Sequence, residues 1–424
     1  MRLFLVLAAV LGAFATLLSG CATGAAGPGE PVIAIVGGAI IDPASDGPPL
    51  RRDLLVRGRR IVSSGEDLRI PRGARRIDAE GKYITPGLWD AHAHLNALTD
   101  VGAAPELYVG FGVLHVRDLG GDLQTLIALR TEINAGTKVG PTIFMAGPTL
   151  NGQQSAPFHR VVTNDSEARQ AVRDLSAAGV DFIKTHRRTS REALLAMIDE
   201  AGKRSLDVYG HVPLAVSWIE ASDAGMRSFE HVFTILENEL SDPVDPAKSI
   251  DDAIARIDGA RGEAIFAAMA EANVHLCPTL VAFERAIANP PELSEAKRGA
   301  LNHFLSYVAR AEEAGVPILA GADVSTDPGR SLVRELELLV EAGLTPRKAL
   351  ASATTTPAAL LGAPELARFD VGAPAAFLIL NSNPLQNISA VRDIDTVVIN
   401  GRVLDSDELG AFRASAPPVE RTSQ

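Results

Sequence analysis

The 424-residue chain has little cysteine: two residues, Cys21 and Cys277. No disulfide framework can be built from them, so the fold has to be held by its own core. Positive charge is also in deficit, with 40 Lys and Arg against 52 Asp and Glu and a formal net charge of −12. A general nucleic-acid binder needs a basic footprint to displace counterions, and this composition excludes one. The apolar run from Leu3 to Leu18 is shorter than the roughly 20 residues of a membrane-spanning helix. No Gly-rich dinucleotide fingerprint follows an early strand, no phosphate loop is present, and no Gly-x-Ser-x-Gly elbow appears. These absences argue against hydride transfer, kinase chemistry and a serine hydrolase. What is present, 46% apolar and 22% charged residues, suits a globular chain with a sizeable core.

The first residues read as an address. Met1-Arg2 is a short positive segment, the run to Leu18 is apolar, and Leu18-Ser19-Gly20-Cys21 resembles the lipobox of bacterial lipoprotein signal peptides. The alternatives are an ordinary secretory signal with a chance cysteine, or an uncleaved anchor. The resemblance implies that residues 1–20 are removed and that Cys21 carries the lipids, since two or more acyl chains anchor durably where one is marginal. Residues 21–31 then form a flexible tether. The resemblance further implies, because Ala22 rather than Asp follows the cysteine, that the exported protein sits on the periplasmic face of the outer membrane.

From Val32 to about Thr85, short apolar segments (Val32–Val36, Ala39–Ile41, Asp53–Val56, Arg60–Val62) are broken by Gly37-Gly38, Asp46-Gly47 and Pro48-Pro49. This is strand texture. It returns at Ala376–Leu380, Thr396–Ile399 and Val403–Leu404, so residues 32–85 and 365–412 are expected to pair into one small β-sandwich. Between them, residues 86–364 alternate strand and helix. The strand candidates are Gly87–Ala91, Val113–Val116, Thr142–Met145, Asp181–Thr185, Asp207–Val212, Arg227–Glu230, Val274–Cys277 and Pro317–Ala320. Helices are expected at Ser166–Ala178, Arg191–Arg204, Glu263–Ala272 and Lys297–Ala314. The alternation matches the eight units and about 250 residues of an α/β TIM barrel better than a doubly wound sheet.

His92 and His94 alternate at the end of the first of these strands, so both imidazoles fall on one side and a single metal could take both. Lys184, His211 and His231 end later strands, and Asp323 follows the last. In a TIM barrel the C-terminal strand ends share one face, which would bring all six side chains together. Each alone has a bland reading, as a surface cation, a core histidine or a helix cap. His159, Arg117 with Asp118, Tyr209 and His186 are candidates for touching a substrate, and an arginine suits a carboxylate. His115, His303 and Cys277 read as structural.

Taken together the motifs resemble the amidohydrolase superfamily, nearest its imidazolonepropionase-like and Xaa-Pro dipeptidase-like branch. The resemblance rests on Ile77-Asp78-Ala79-Glu80-Gly81-Lys82 running into Thr85-Pro86-Gly87-Leu88-Trp89-Asp90-Ala91-His92-Ala93-His94. It extends through Ala342-Gly343-Leu344-Thr345-Pro346 and Asn383-Pro384-Leu385. It implies that His92 and His94 bind the more buried of two metals, that His211 and His231 bind the second, and that a carboxylated Lys184 bridges them. Asp323 is implied as both ligand and general base. The reaction implied is hydrolysis of a C–N bond in an amide, cyclic amide or dipeptide-like small molecule by a hydroxide shared between the ions. Zinc suits such a ligand set, and manganese or cobalt also fit. Relatives of this kind are commonly homo-oligomers. Two departures, Ala375-Ala376-Phe377 where the family often has Asp and Gly321-Ala322-Asp323 in place of Gly-Thr-Asp, leave the ligand positions intact and the substrate open. The same site could serve a lactone or phosphoester, and a catalytically silent surface lipoprotein is the reading from another class. Cys21→Ser is expected to move the protein from the membrane to the soluble fraction on fractionation of cells, and its persistence in the membrane fraction would remove the lipid anchor.

Overall fold

The computed structural model describes residues 30–95, 105–287 and 294–414. The expected signal segment, Cys21 and most of the tether lie outside the described residues. Among those described, no helix is long and apolar enough to cross a membrane.

The two ends of the chain build one sheet. Strands β1 (Val32–Ile40), β2 (Leu50–Arg57), β3 (Arg60–Gly65), β4 (Arg75–Asp78) and β5 (Tyr83–Pro86) come from the first end. From the second come β15 (Phe377–Leu380), β16 (Ile394–Ile399) and β17 (Arg402–Asp405). Their order is β17-β16-β15-β5-β1-β2-β3, with β4 also on β1. The seam between the chain ends is the antiparallel pairing of β5 with β15, Tyr83 to Pro86 opposite Leu380 to Phe377. All eight strands, from the two segments expected to build a small sandwich, are hydrogen-bonded into one branched sheet. The cause is local: one edge of β1 pairs with β2, and its other edge is divided between β4, opposite Ile33–Val36, and β5, opposite Ala39–Ile40. The division falls at Gly37, whose φ of 79° favours glycine and whose N–H donates to Asp53 Oδ1 at 2.8 Å. Ile35, Leu54, Ile84, Phe377, Ile379 and Val398 fill the covered face.

The intervening chain forms parallel strands alternating with helices. Strands β6 (Leu88–Ala93), β7 (Val113–Asp118) and β8 (Thr142–Met145) pair in that order. Strands β9 (Thr149–Asn151), β10 (His159–Val161), β11 (Ile183–Thr185), β12 (Val208–Gly210), β13 (Ser228–Glu230) and β14 (His275–Cys277) form a second sheet, ordered β10-β9-β11-β12-β13-β14. Strands β9 and β10 are an excursion that the sequence pattern did not signal. Backbone bonds join the two sheets directly or through residues 317–323. Asp181 N donates to Met145 O, Leu276 N to Pro317 O, and Ala91 N to Ala320 O, each at 2.9 Å. The expected strand Pro317–Ala320 is reduced to one bridge, Leu276 to Ile318, because the segment divides its bonds between β14, β6 and Ser352.

β6 and β7 are buried along their whole length, as parallel strands covered on both faces are. Leu88, Val113, Leu114 and Val116 belong to one large apolar core with buried residues of helices such as Asp165–Ala177 and Arg191–Gly202. Those helices start where Asn164 and Ser190 accept from Glu167 N and Ala193 N, so side chains satisfy backbone donors that the first turn leaves open. The last residues differ from expectation, for Ser406–Ala414 is a helix, tied to the fold by Arg413 Nε donating to Gly110 O at 2.6 Å.

His115 on β7 is fully buried, neither ring nitrogen has a hydrogen-bond partner among the described residues, and its ring centroid lies 4.7 Å from that of Trp89. Burial pushes its pKa down to about 3, against about 6.5 in an unfolded chain. Below the unfolded value the unfolded chain takes a proton that the folded one refuses, so stability falls as pH drops from about 6.5 toward 3. His115→Phe is expected to lose less stability than the parent between pH 6.5 and 4 in urea titrations at one metal content, and equal losses would contradict this.

Candidate metal centre

Two histidines at the end of β6 are oriented from behind. His92, 1% exposed, has Nδ1 2.9 Å from Glu230 Oε2, and His94 has Nδ1 2.8 Å from Gly120 O. A carbonyl oxygen only accepts, so His94 carries its proton on Nδ1 and offers the Nε2 lone pair; an ionised Glu230 imposes the same tautomer on His92. Both Nε2 atoms face Asp323 Oδ1, at 3.6 Å from His92 and 3.4 Å from His94.

Asp323 is brought there by a close approach of two chain segments. Its N–H donates to His92 O at 2.8 Å, while Asp90 Oδ1 accepts from Ala322 N at 2.9 Å and His92 N at 3.1 Å. A Cβ at Gly321 would sit 2.5 Å from Cys277 Sγ and 2.6 Å from His92 N, so only glycine allows the approach. Asp323, His231 and Thr279 all hold left-handed φ values, of 49°, 68° and 50°. Such strain gathers at sites where the surroundings impose the geometry.

The opposite side comes from β11, β12 and β13. Among the described residues Lys184, 2% exposed, has no partner for Nζ, and the buried His211 Nδ1 has none either. His231 Nδ1 lies 2.8 Å from Thr279 Oγ1 and 3.7 Å from Asp323 Oδ2. Ring centroids step round an arc, 4.6 Å from His92 to His231, 4.4 Å on to His211, 4.1 Å to His186 and 4.8 Å to His159. These side chains, with Thr149, Phe158 and Phe233, line a cavity of about 240 Å³. Larger cavities elsewhere hold no comparable set: that of about 680 Å³ lies against Leu50, Phe369 and Val371, and that of about 370 Å³ against ion-paired Arg256 and Arg261.

Burial governs the charges. It raises Asp323 to about 7, with Lys184 opposing and Glu230 assisting, and raises Asp90 to about 7 and Asp118 to about 6. It holds His92, His211 and His231 well below their ordinary value and lowers Lys184 to about 8. Neutral imidazoles with lone pairs, beside an excess of buried carboxyls, are what a cation needs. Ligand atoms of His92, His94 and Asp323 lie within 4.8 Å of one another. His92, Glu230 and Cys277 satisfy the same distance, but Arg117 already engages Glu230 and burial pushes the Cys277 thiol far up.

All six residues that the sequence singled out as ligands line this cavity, and His159 and His186 line it too. Arg117 and Tyr209 do not, which corrects their expected contact with substrate. Arg117 is 0% exposed; it donates to Ala91 O at 2.6 Å, Ser228 Oγ at 3.0 Å and Glu230 at 2.8 and 3.0 Å, and lies 5.2 Å over the Tyr209 ring. Tyr209 packs on Phe182 at 4.9 Å and donates to Asp207 at 3.1 Å. Each is spent inside the strands, neutralising or covering a neighbour. Glu230 and Asp90 were missed, though an acidic residue inside a short apolar strand beside a candidate ligand was the available signal.

The sequence model of the amidohydrolase family matches residues 83–404. Ochratoxinase from Aspergillus niger is 25% identical, with 86% of this chain and 84% of that protein covered. A solved Xaa-Pro dipeptidase with methionine in its active site superposes with a TM-score of 0.69 at 24% identity, covering 88% of this chain and 100% of that one. Bottromycin amidohydrolase superposes with a TM-score of 0.71 at 22% identity, covering 90% and 88%.

Proposed function

Because the chain belongs to the amidohydrolase family, we propose that it is a metal-dependent hydrolase that opens a carbon–nitrogen bond in a small amide, cyclic amide or dipeptide-like molecule. The observation that carries this is the convergence of His92, His94, Lys184, His211, His231 and Asp323 on one buried cavity. The parallel strands, linked through Met145–Asp181 and Ala91–Ala320, then form an eight-stranded TIM barrel with the site at its C-terminal face.

The donor set fits a pair of divalent ions. Lys184 Nζ and His211 Nδ1 are buried polar atoms without partners among the described residues, a costly state unless something else engages them. His92 and His94 would hold one ion and His211 and His231 the other, with Asp323 on one of them; zinc suits nitrogen and carboxylate donors, and manganese or cobalt would also fit. Bound there, the ions would polarise the scissile carbonyl and bring a water's pKa toward neutrality. Lys184 as an ammonium has no lone pair to offer. Its free amine would add carbon dioxide, forming an N–C bond and releasing a proton, and the resulting anionic carbamate would supply oxygen donors that the ammonium lacks. Burial, by lowering the lysine pKa to about 8, leaves more of it in the amine form that adds carbon dioxide.

Asp323 is the proton carrier. Its carboxylate faces His92, His94 and His231, takes the proton of the attacking water at an Oδ atom and returns it to the leaving nitrogen. Glu230 and the Gly120 carbonyl hold the imidazoles, and Phe158 and Phe233 supply apolar walls. A cavity of about 240 Å³ sets the scale of the substrate, a small molecule. That relatives are named a dipeptidase, an ochratoxinase and an amidohydrolase supports the bond class. Lipidated at Cys21, the enzyme would work from the cell envelope.

Turnover of a panel of dipeptides, N-acyl amino acids and lactones, measured beside metal content, tests this. Asp323→Asn is expected to lower turnover by at least about 100-fold while the protein keeps bound metal. Lys184→Ala is expected to bind less metal than the parent. Unchanged turnover in the first variant, or two ions per chain in the second, would overturn the assigned roles.

A further inference from the structure

We propose that Glu230, clamped by Arg117, is a positioning residue that makes the His92/His94 end of the centre the tighter of two unequal cation sites. This rests on the two-ion reading above. It comes from asking what holds the back of each imidazole. His92 Nδ1 meets a carboxylate at 2.9 Å and His94 Nδ1 a carbonyl at 2.8 Å. His231 Nδ1 meets the Thr279 hydroxyl at 2.8 Å, and among the described residues His211 hydrogen-bonds to none.

These backings are not equivalent. A carboxylate or carbonyl only accepts, so it fixes the proton on Nδ1 and presents the Nε2 lone pair; an anion also makes that nitrogen a stronger donor to a metal. A hydroxyl both donates and accepts, so Thr279 fixes no tautomer. An imidazole with no acceptor spends binding energy on being oriented. The first pair is set before a cation arrives and the second is not.

Glu230 is itself immobilised, which separates a positioning group from a chance contact. Arg117 Nη2 donates to both its oxygens, at 2.8 and 3.0 Å, and Ser228 Oγ donates to Oε1 at 2.6 Å. Arg117 is fixed in turn by Ala91 O and by the Tyr209 ring. Arg117 and Glu230 are both fully buried, so water cannot take the place of either partner. The guanidinium balances the charge that the carboxylate brings into the interior.

Stepwise zinc titration of the metal-stripped full chain against a chromophoric chelator tests the inference. The parent is expected to bind in two resolved steps, and His211→Ala to keep only the tighter one. Glu230→Gln is expected to weaken the tighter step by about 10- to 100-fold and to leave the weaker step within about twofold. Thr279→Ala, which leaves the buried ion pair intact, is expected to weaken the second step alone. Two equal steps in the parent, an unchanged tighter step in Glu230→Gln, or loss of the tighter step in Thr279→Ala would overturn it. A parent that binds no zinc would overturn the two-ion reading and this inference with it.

Discussion

The site depends on one close approach, that of the segment around Gly321 to the end of β6. Ala91 N to Ala320 O at 2.9 Å and Asp323 N to His92 O at 2.8 Å join stretches far apart in the chain. The bond from Ala322 N to Asp90 spans 232 residues. Without this contact Asp323 would face neither His92 nor His231. A single methyl group at position 321 would forbid it, since the space belongs to Cys277 and His92. The left-handed backbone at Asp323 is the local cost of aiming the carboxylate inward.

Closure also concentrates charge where water is scarce. Asp90, Asp118 and Asp323 lie around Arg117 and Lys184, and burial pushes these three acids toward their neutral forms. Two kinds of compensation operate. Beneath the cavity, Arg117 and Glu230 balance each other and lend their rigidity to His92. In the cavity, Lys184 Nζ and His211 Nδ1 have no partner among the described residues, and the proposed ions would complete the arrangement. Structure and chemistry thus share one set of groups: the acids that hold β6 to its neighbours also orient the donors.

Much of this was legible in the sequence because it is periodic. The two-residue spacing of His92 and His94, and the placing of Lys184, His211 and His231 at or just past the ends of apolar strands, depend only on local geometry and on the common direction of parallel strands. Depth was not legible. Arg117 lies on β7 as Lys184 lies on β11, yet it is spent one layer below the cavity on a partner 113 residues away. Tyr209 is likewise spent against Phe182 and Arg117. The demand for glycine at 321 and the role of Glu230 depend on contacts that exist only after the parallel strands are assembled. The branching of the terminal sheet at Gly37 depends on a pairing between the two ends of the chain, where alternation along either end indicates strands but not their partners.

The most direct test is the metal content of the purified chain, by elemental analysis after zinc and bicarbonate have been supplied together. About two divalent ions per chain is the expected result for a centre built from four imidazoles, a carbamate and a carboxylate. A chain that stays empty under those conditions, while remaining folded, would contradict a metal-dependent hydrolase and leave the convergence of these six residues without its proposed chemistry.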